Sequence, residues 1–274
     1  MHTKYKLVAI DMDGTLLSQD GGISAANKAA IRAATERGVK VVICSGRSYR
    51  SLRMFAESIG TRAPGNYVIA FNGGMILDTG TDEVIFEKRM DRALAMEIVE
   101  AAEPFAPAAS TIVYRDMNHI IVRPDNPYMT AYVTATLVTP IFTDDINSLI
   151  TDDVQKVMLG GYWESLQAPA EALTAQFAGR CNLEFSGDYL FECNEITTSK
   201  GNGIAQLCNR IGISTDEVIA IGDQFNDYSM IETAGLGVCM QNGADGVKAI
   251  ADYVTTNDHD HSGVAEVIQK FILD

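Results

Sequence analysis

No apolar run in this sequence approaches the roughly 20 residues that a membrane-spanning helix needs, and no signal-peptide pattern precedes the first apolar stretch. A cytoplasmic location is therefore expected. Cysteine is scarce: Cys44, Cys181, Cys193, Cys208 and Cys239 are odd in number, scattered and never spaced C-x-x-C. That excludes a disulfide framework and a thiolate zinc site, and leaves reduced, mostly buried thiols. Positive charge is short as well, with 21 Lys and Arg against 36 Asp and Glu and a formal net charge of −15. Such a field repels nucleic acids and anionic membranes, so neither is expected as a partner, and no protein partner is implied. A small phosphorylated substrate would meet the same repulsion, so its site would need a local metal ion and a lysine or arginine. The pattern G-x-x-x-x-G-K-[ST] is missing, which removes the main support for an ATP-driven kinase. Internal repeats and low-complexity linkers are missing too.

What is present begins at residues 6–15, where an apolar run that reads as a buried strand empties into Asp11, Met12, Asp13, Gly14 and Thr15. Gly14 lets the backbone turn, so two carboxylates at i and i+2 can converge on one small ligand. Two anions this close imply a divalent cation, a shared proton, or both. The βα rhythm continues with a helix over 24–37, capped by Ser24 and ended by Gly38, and a buried strand over 39–44 that stops at Ser45, Gly46 and Arg47. Leu52, Phe55 and Ile59 mark a further helix before Gly60, and a strand over 67–71 ends at Asn72.

From about residue 84 the pattern changes. Alternating stretches over 111–115 and 119–123 read as one hairpin, and 181–185 with 189–193 as another, turning at Gly187 and Asp188. Helices are expected over 93–103 and 166–178. After Cys193 the βα rhythm resumes: a helix from Lys200 and Gly201, a possible capping box over 214–217, a strand over 218–222 leading to Asp223, a strand over 237–240, and helical patterns over 245–251 and 264–271. At 274 residues and 47% apolar, the chain is long enough for two cores. The expectation is an α/β protein: a Rossmann-like, doubly wound parallel sheet from residues 1–83 and 194–274, with an inserted α+β cap over 84–193.

Asp11, Ser45, Asn72 and Asp223 each follow a buried strand or its last glycine, and ligands of open parallel sheets bind outside the carboxyl ends of the strands. One site is implied. The runs D11-M-D-G-T, S45-G-R, K200-G and G222-D-Q-F-N-D227 resemble, in order and approximate spacing, the four motifs of the haloacid dehalogenase phosphohydrolase superfamily. The closing runs G237-V-C-M-Q-N242 and A251-D-Y-V-T-T-N257 look like its Cof-type branch with an α+β cap. The resemblance implies a phosphatase of a small phosphate monoester, such as a sugar phosphate, acting through an aspartyl-phosphate on Asp11. It makes Asp13 the general acid and base, with a proton affinity raised by its anionic neighbours, and gives Lys200 the task of neutralising phosphoryl charge. Ser45, Gly46, Arg47 and Asn72 would bind the phosphoryl group or substrate. Magnesium would sit on Asp11, the Asp13 backbone carbonyl and Asp223, with Asp227 completing or orienting that shell. A phosphomutase is the enzymic alternative, and a non-catalytic ligand-binding protein on the same fold is the alternative from another class.

The stretch from Asp258 to Gly263 starts like an EF-hand loop, but its twelfth position is Gln269 rather than a bidentate Glu, so calcium binding is not expected. His259 and His261 read as a solvated turn. Arg89, Arg115 and Arg123 read as solvated charges.

Overall fold

A computed structural model of the chain describes every residue except 1–3, 107, 125, 127, 128 and 188. Asp188, expected in a hairpin turn, thus lies outside the described residues. Among those described, no helix is long and apolar enough to cross a membrane. By packing the chain divides into two units, one of Met1–Gly46, Leu52–Phe86 and Ser199–Asp274, the other of Arg47–Ser51 and Glu87–Thr198.

The first unit is built in chain order from β1 (Leu7–Ile10), α1 (Ala25–Glu36), β2 (Lys40–Cys44), α2 (Tyr49–Ser58), β3 (Tyr67–Ala70), β4 (Met75–Asp78) and β5 (Val84–Glu87). The start of α2 falls within Arg47–Ser51 and so groups with the other unit. The sheet order places β1 between β2 and β12 (Val218–Gly222), continuing through β13 (Leu236–Cys239) to β14 (Tyr253–Val254) on one side and β3, β4 and β5 on the other. Pairing is parallel from β14 to β3 and antiparallel between β3 and β4. Such strands are covered on both faces, which is why β1 and β12 are wholly buried runs rather than alternating ones. Helix α1 starts where Ser24 accepts a hydrogen bond from the Asn27 amide at 3.0 Å, and stops at Gly38, whose φ of 83° suits a left-handed exit. Ile204 and Leu207 of α6 (Lys200–Ile211) and Met230 of α7 (Tyr228–Thr233) pack with Leu7, Ala9, Val42 and Ala220. The helical patterns near the carboxyl end are shorter than their sequence suggests: α8 is Asp245–Lys248, and α9 is Gly263–Ile268 followed by a π turn over Gln269–Leu273.

The second unit carries α3 (Arg92–Ala102), β6 (Ser110–Tyr114), β7 (His119–Val122), α4 (Met129–Thr136), β8 (Thr139–Phe142), β9 (Lys156–Gly160), α5 (Trp163–Phe177), β10 (Cys181–Phe185) and β11 (Leu190–Glu195). Its strands form a separate six-stranded sheet in the order β10-β11-β9-β6-β7-β8. Ile98 and Val99 of α3 and Leu166, Leu173 and Phe177 of α5 pack with Val113, Val157, Leu159 and Cys193. Strand alternation sends Tyr114, Lys156 and Glu192 the other way. There the Lys156 ammonium meets Glu192 Oε2 at 2.6 Å, Ser186 donates to Glu192 Oε1 at 2.7 Å, and Lys156 lies 5.4 Å from the centre of the Tyr114 ring.

The unit boundary differs from the sequence expectation of 84 and 193. Strand β5 is hydrogen-bonded into the first unit's sheet, and β11 runs to Glu195 in the second, so the insert spans Glu87–Thr198.

Candidate active site

The four strands β12, β1, β2 and β3 lie side by side and parallel, so the residues that follow them are neighbours: Asp223, Asp11, Ser45 and Asn72. Asp11 continues the ladder, its amide donating to Ile221 O at 2.9 Å. The Ser45 amide donates to Ile69 O at 2.9 Å and the Asn72 amide to Ser45 O at 3.0 Å, which locks these two residues together. Gly46 is required beside them, because a Cβ there would come within 2.9 Å of Asn72 Oδ1. Phe71 and Asn72 both adopt positive φ, at 51° and 53°. Strain of this kind persists where surrounding structure imposes it, and it concentrates at functional sites.

Lys200 is the first residue of α6 and fully buried. A lysine opposes the helix dipole at that end, so something else must hold it. It donates to Asp11 Oδ1 at 2.6 Å and to Asp227 Oδ1 at 2.5 Å. The other oxygen of Asp227 accepts from the amides of Asp223 and Gln224 at 2.8 and 3.0 Å. Both oxygens of Asp227 are therefore engaged. Thr15 Oγ1 donates to Asp223 Oδ1 at 2.8 Å. Gly14, with φ of 80°, lies so close to Asp223 that a Cβ would collide with its carboxylate. Asp13 is exposed.

Three buried carboxylates, Asp11, Asp223 and Asp227, bring one oxygen each within 4.8 Å of one another, and one lysine sits among them. The cluster is short of positive charge. Burial, and then the charge of Asp227, push Asp11 well above the usual carboxylate range against the opposing pull of Lys200. The same two causes push Asp223 up to about 7. Carboxylates that resist ionisation in the bare protein suit a bound cation, and an all-oxygen donor set suits a hard one. Lys200 is driven well above its usual value, since Asp11 and Asp227 outweigh the cost of its burial.

Of the residues named from sequence, Asp11, Ser45, Gly46, Asn72, Lys200, Asp223 and Asp227 fall in the first unit along this sheet edge and the start of α6. Arg47 does not: it is grouped with the insert. Thr15 was legible only as part of a motif, because its bond to Asp223 spans 208 positions of sequence.

Residues 8–268 match the family model described as haloacid dehalogenase-like hydrolase. The chain is 31% identical over 270 residues to the 5-amino-6-(5-phospho-D-ribitylamino)uracil phosphatase YcsE of Bacillus subtilis, covering 98% of this chain and 96% of that protein. Among solved structures it resembles a haloacid dehalogenase-like hydrolase from Bacteroides thetaiotaomicron, at 30% identity and a TM-score of 0.85 over 97% of this chain and 99% of the other. Another of that description from B. subtilis matches at 26% identity and a TM-score of 0.84, over 97% of this chain and all of the other, at 100%.

Proposed function

The chain belongs to the haloacid dehalogenase-like hydrolases, and from that premise we propose that it is a magnesium-dependent phosphatase of small phosphate monoesters. The observation that carries this reading is the buried Lys200 ammonium 2.6 Å from Asp11, at the carboxyl end of the central strand and within a carboxylate-rich cluster. Asp11 attacks phosphorus, the ester oxygen leaves, and an aspartyl-phosphate forms; water then attacks that phosphorus and restores the carboxylate. Lys200 pulls Asp11 towards its ionised form and opposes charge on the phosphoryl oxygens. Asp13, reachable from solvent, gives its proton to the leaving oxygen and takes one from the incoming water. Ser45 and Asn72, tied to each other through the main chain, bind phosphoryl oxygens. Magnesium held by Asp11, the Asp13 carbonyl and Asp223 would neutralise the phosphoryl group and orient it for in-line attack. Asp227, with both oxygens committed to Lys200 and main-chain amides, acts by holding Lys200 rather than as a direct ligand.

These groups all address the phosphoryl group. Choice of the organic part falls to the insert, Glu87–Thr198, and a phosphate-release screen with magnesium identifies the ester. Sugar phosphates and ribityl phosphates are the first esters to test, the latter because YcsE is named for one. Release of inorganic phosphate in stoichiometric amount supports hydrolysis; transfer to a second hydroxyl, or no turnover across the panel, contradicts it.

A further inference from the structure

Asn242 lies outside the four catalytic runs, yet it meets the loop after Asp13. Its Nδ2 donates to the carbonyl of Gly14 at 2.8 Å, and its Oδ1 accepts from the His259 amide at 3.1 Å. The two partners fix the orientation of the amide, since a flipped side chain would set oxygen against oxygen and donor against donor. The turn that carries Asn242 is itself anchored: the Gln241 amide donates to Thr255 Oγ1 at 2.9 Å and the Gly243 amide to Met240 O at 2.8 Å. One residue further on, the Ala244 amide donates to the carbonyl of Asp223 at 2.9 Å. A single short turn therefore grips both sides of the cation site, the Gly14 peptide on one loop and the Asp223 main chain on another. Thr15, by its bond to Asp223, closes the same circuit at side-chain level.

We propose that Asn242 is a positioning residue that sets the spacing between the Asp13–Gly14 backbone and Asp223, and thereby tunes the site to magnesium over larger cations. The inference rests on the phosphatase reading above, in which those two segments share the ion. Magnesium demands near-octahedral geometry at short distances, whereas calcium accepts longer and less regular ones, so loosening one loop against the other penalises magnesium more. Loss of such supporting partners weakens metal binding by roughly 10- to 100-fold in metalloproteins.

The test is calorimetric titration of magnesium, and separately calcium, into the chelator-stripped full chain without substrate. Asn242→Ala should weaken magnesium binding by about tenfold and calcium binding by less than about threefold. A circular dichroism melt checks that the variant is folded; if it is not, Asn242→Ser carries the same comparison. A magnesium constant within threefold of wild type overturns the inference, as does an equal loss for both ions, which would mean general loosening. Wild-type protein that takes up no magnesium would instead remove the phosphatase reading on which the inference stands.

Discussion

Both units bury a lysine against glutamate or aspartate, and the two clusters differ in stoichiometry. In the insert, the Lys156 ammonium meets Glu192 at 2.6 Å, both almost fully excluded from solvent, and Ser186 donates to the same carboxylate. In the core, Lys200 faces three buried carboxylates. In the insert one carboxylate meets an ammonium directly; in the core three carboxylates crowd together at the expense of their own ionisation, as the raised Asp11 and Asp223 show. On the proposed reading, that imbalance is what a cation and an anionic substrate would relieve.

The strongest way to sharpen that contrast is Asp11→Asn. It keeps the shape and removes the nucleophile, and kcat should fall by at least about 10³-fold with the fold retained, as measured by phosphate release and circular dichroism. Retention of activity within tenfold would remove Asp11 from the nucleophile role. Next come the cations. Lys156→Met leaves Glu192 buried and alone, and should cost about 3 to 5 kcal/mol in denaturant unfolding. The double variant Lys156→Met with Glu192→Leu should recover to within about 1 kcal/mol of wild type, because both charges leave the interior together. In the core, Lys200→Met with Asp227→Leu should lose turnover and also stability, by about 1 to 3 kcal/mol for each main-chain amide of Asp223 and Gln224 left without its acceptor. An active double variant there would erase the distinction between the clusters.

A smaller effect concerns pH in the metal-free protein. Asp223 titrates near 7 when folded against an ordinary 3.8, so its folded form holds a proton that the unfolded chain releases. Its contribution to stability is full below about pH 4 and is lost as pH rises towards 7. Asp11 works in the same direction. Asp223→Asn removes this titration, so with chelator present the variant should gain melting temperature relative to wild type between pH 5 and 7.5. A constant difference across that range would contradict the assignment.

Much of the core was legible because candidate side chains stand directly after apolar runs: Asp11 after β1, Ser45 after residues 41–44 of β2, Asp223 after β12. Asn72 was legible as a turn residue, but the positive φ of Phe71 before it was not, and the strand ends at Ala70 rather than 71. The insert read less clearly. Strand β9 passed unnoticed because only Val157, Met158 and Leu159 lie between Lys156 and Gly160, and the lysine at its start is explained by Glu192, 36 residues away. Strand β8 was hidden by Pro140, which an edge position tolerates. Arg47 follows Ser45 and Gly46 in sequence, yet belongs by packing with the insert; a dipeptide spacing carries no information about which unit claims the next side chain. Thr15 and Asn242 act through bonds between distant segments, which no local pattern records.

On the proposed function, the carboxylate-rich core cluster passes a phosphoryl group through Asp11. Asp13→Asn should slow hydrolysis of that intermediate, while a leaving group that needs no proton still permits its formation. Acid-quenched mixtures of this variant with p-nitrophenyl phosphate and magnesium, digested and analysed by mass spectrometry, test the claim most directly. One phosphoryl group is expected on the peptide containing Asp11, and none when magnesium is withheld. Phosphoryl transfer to a different residue, or continued turnover with Asp11 never modified, would contradict it.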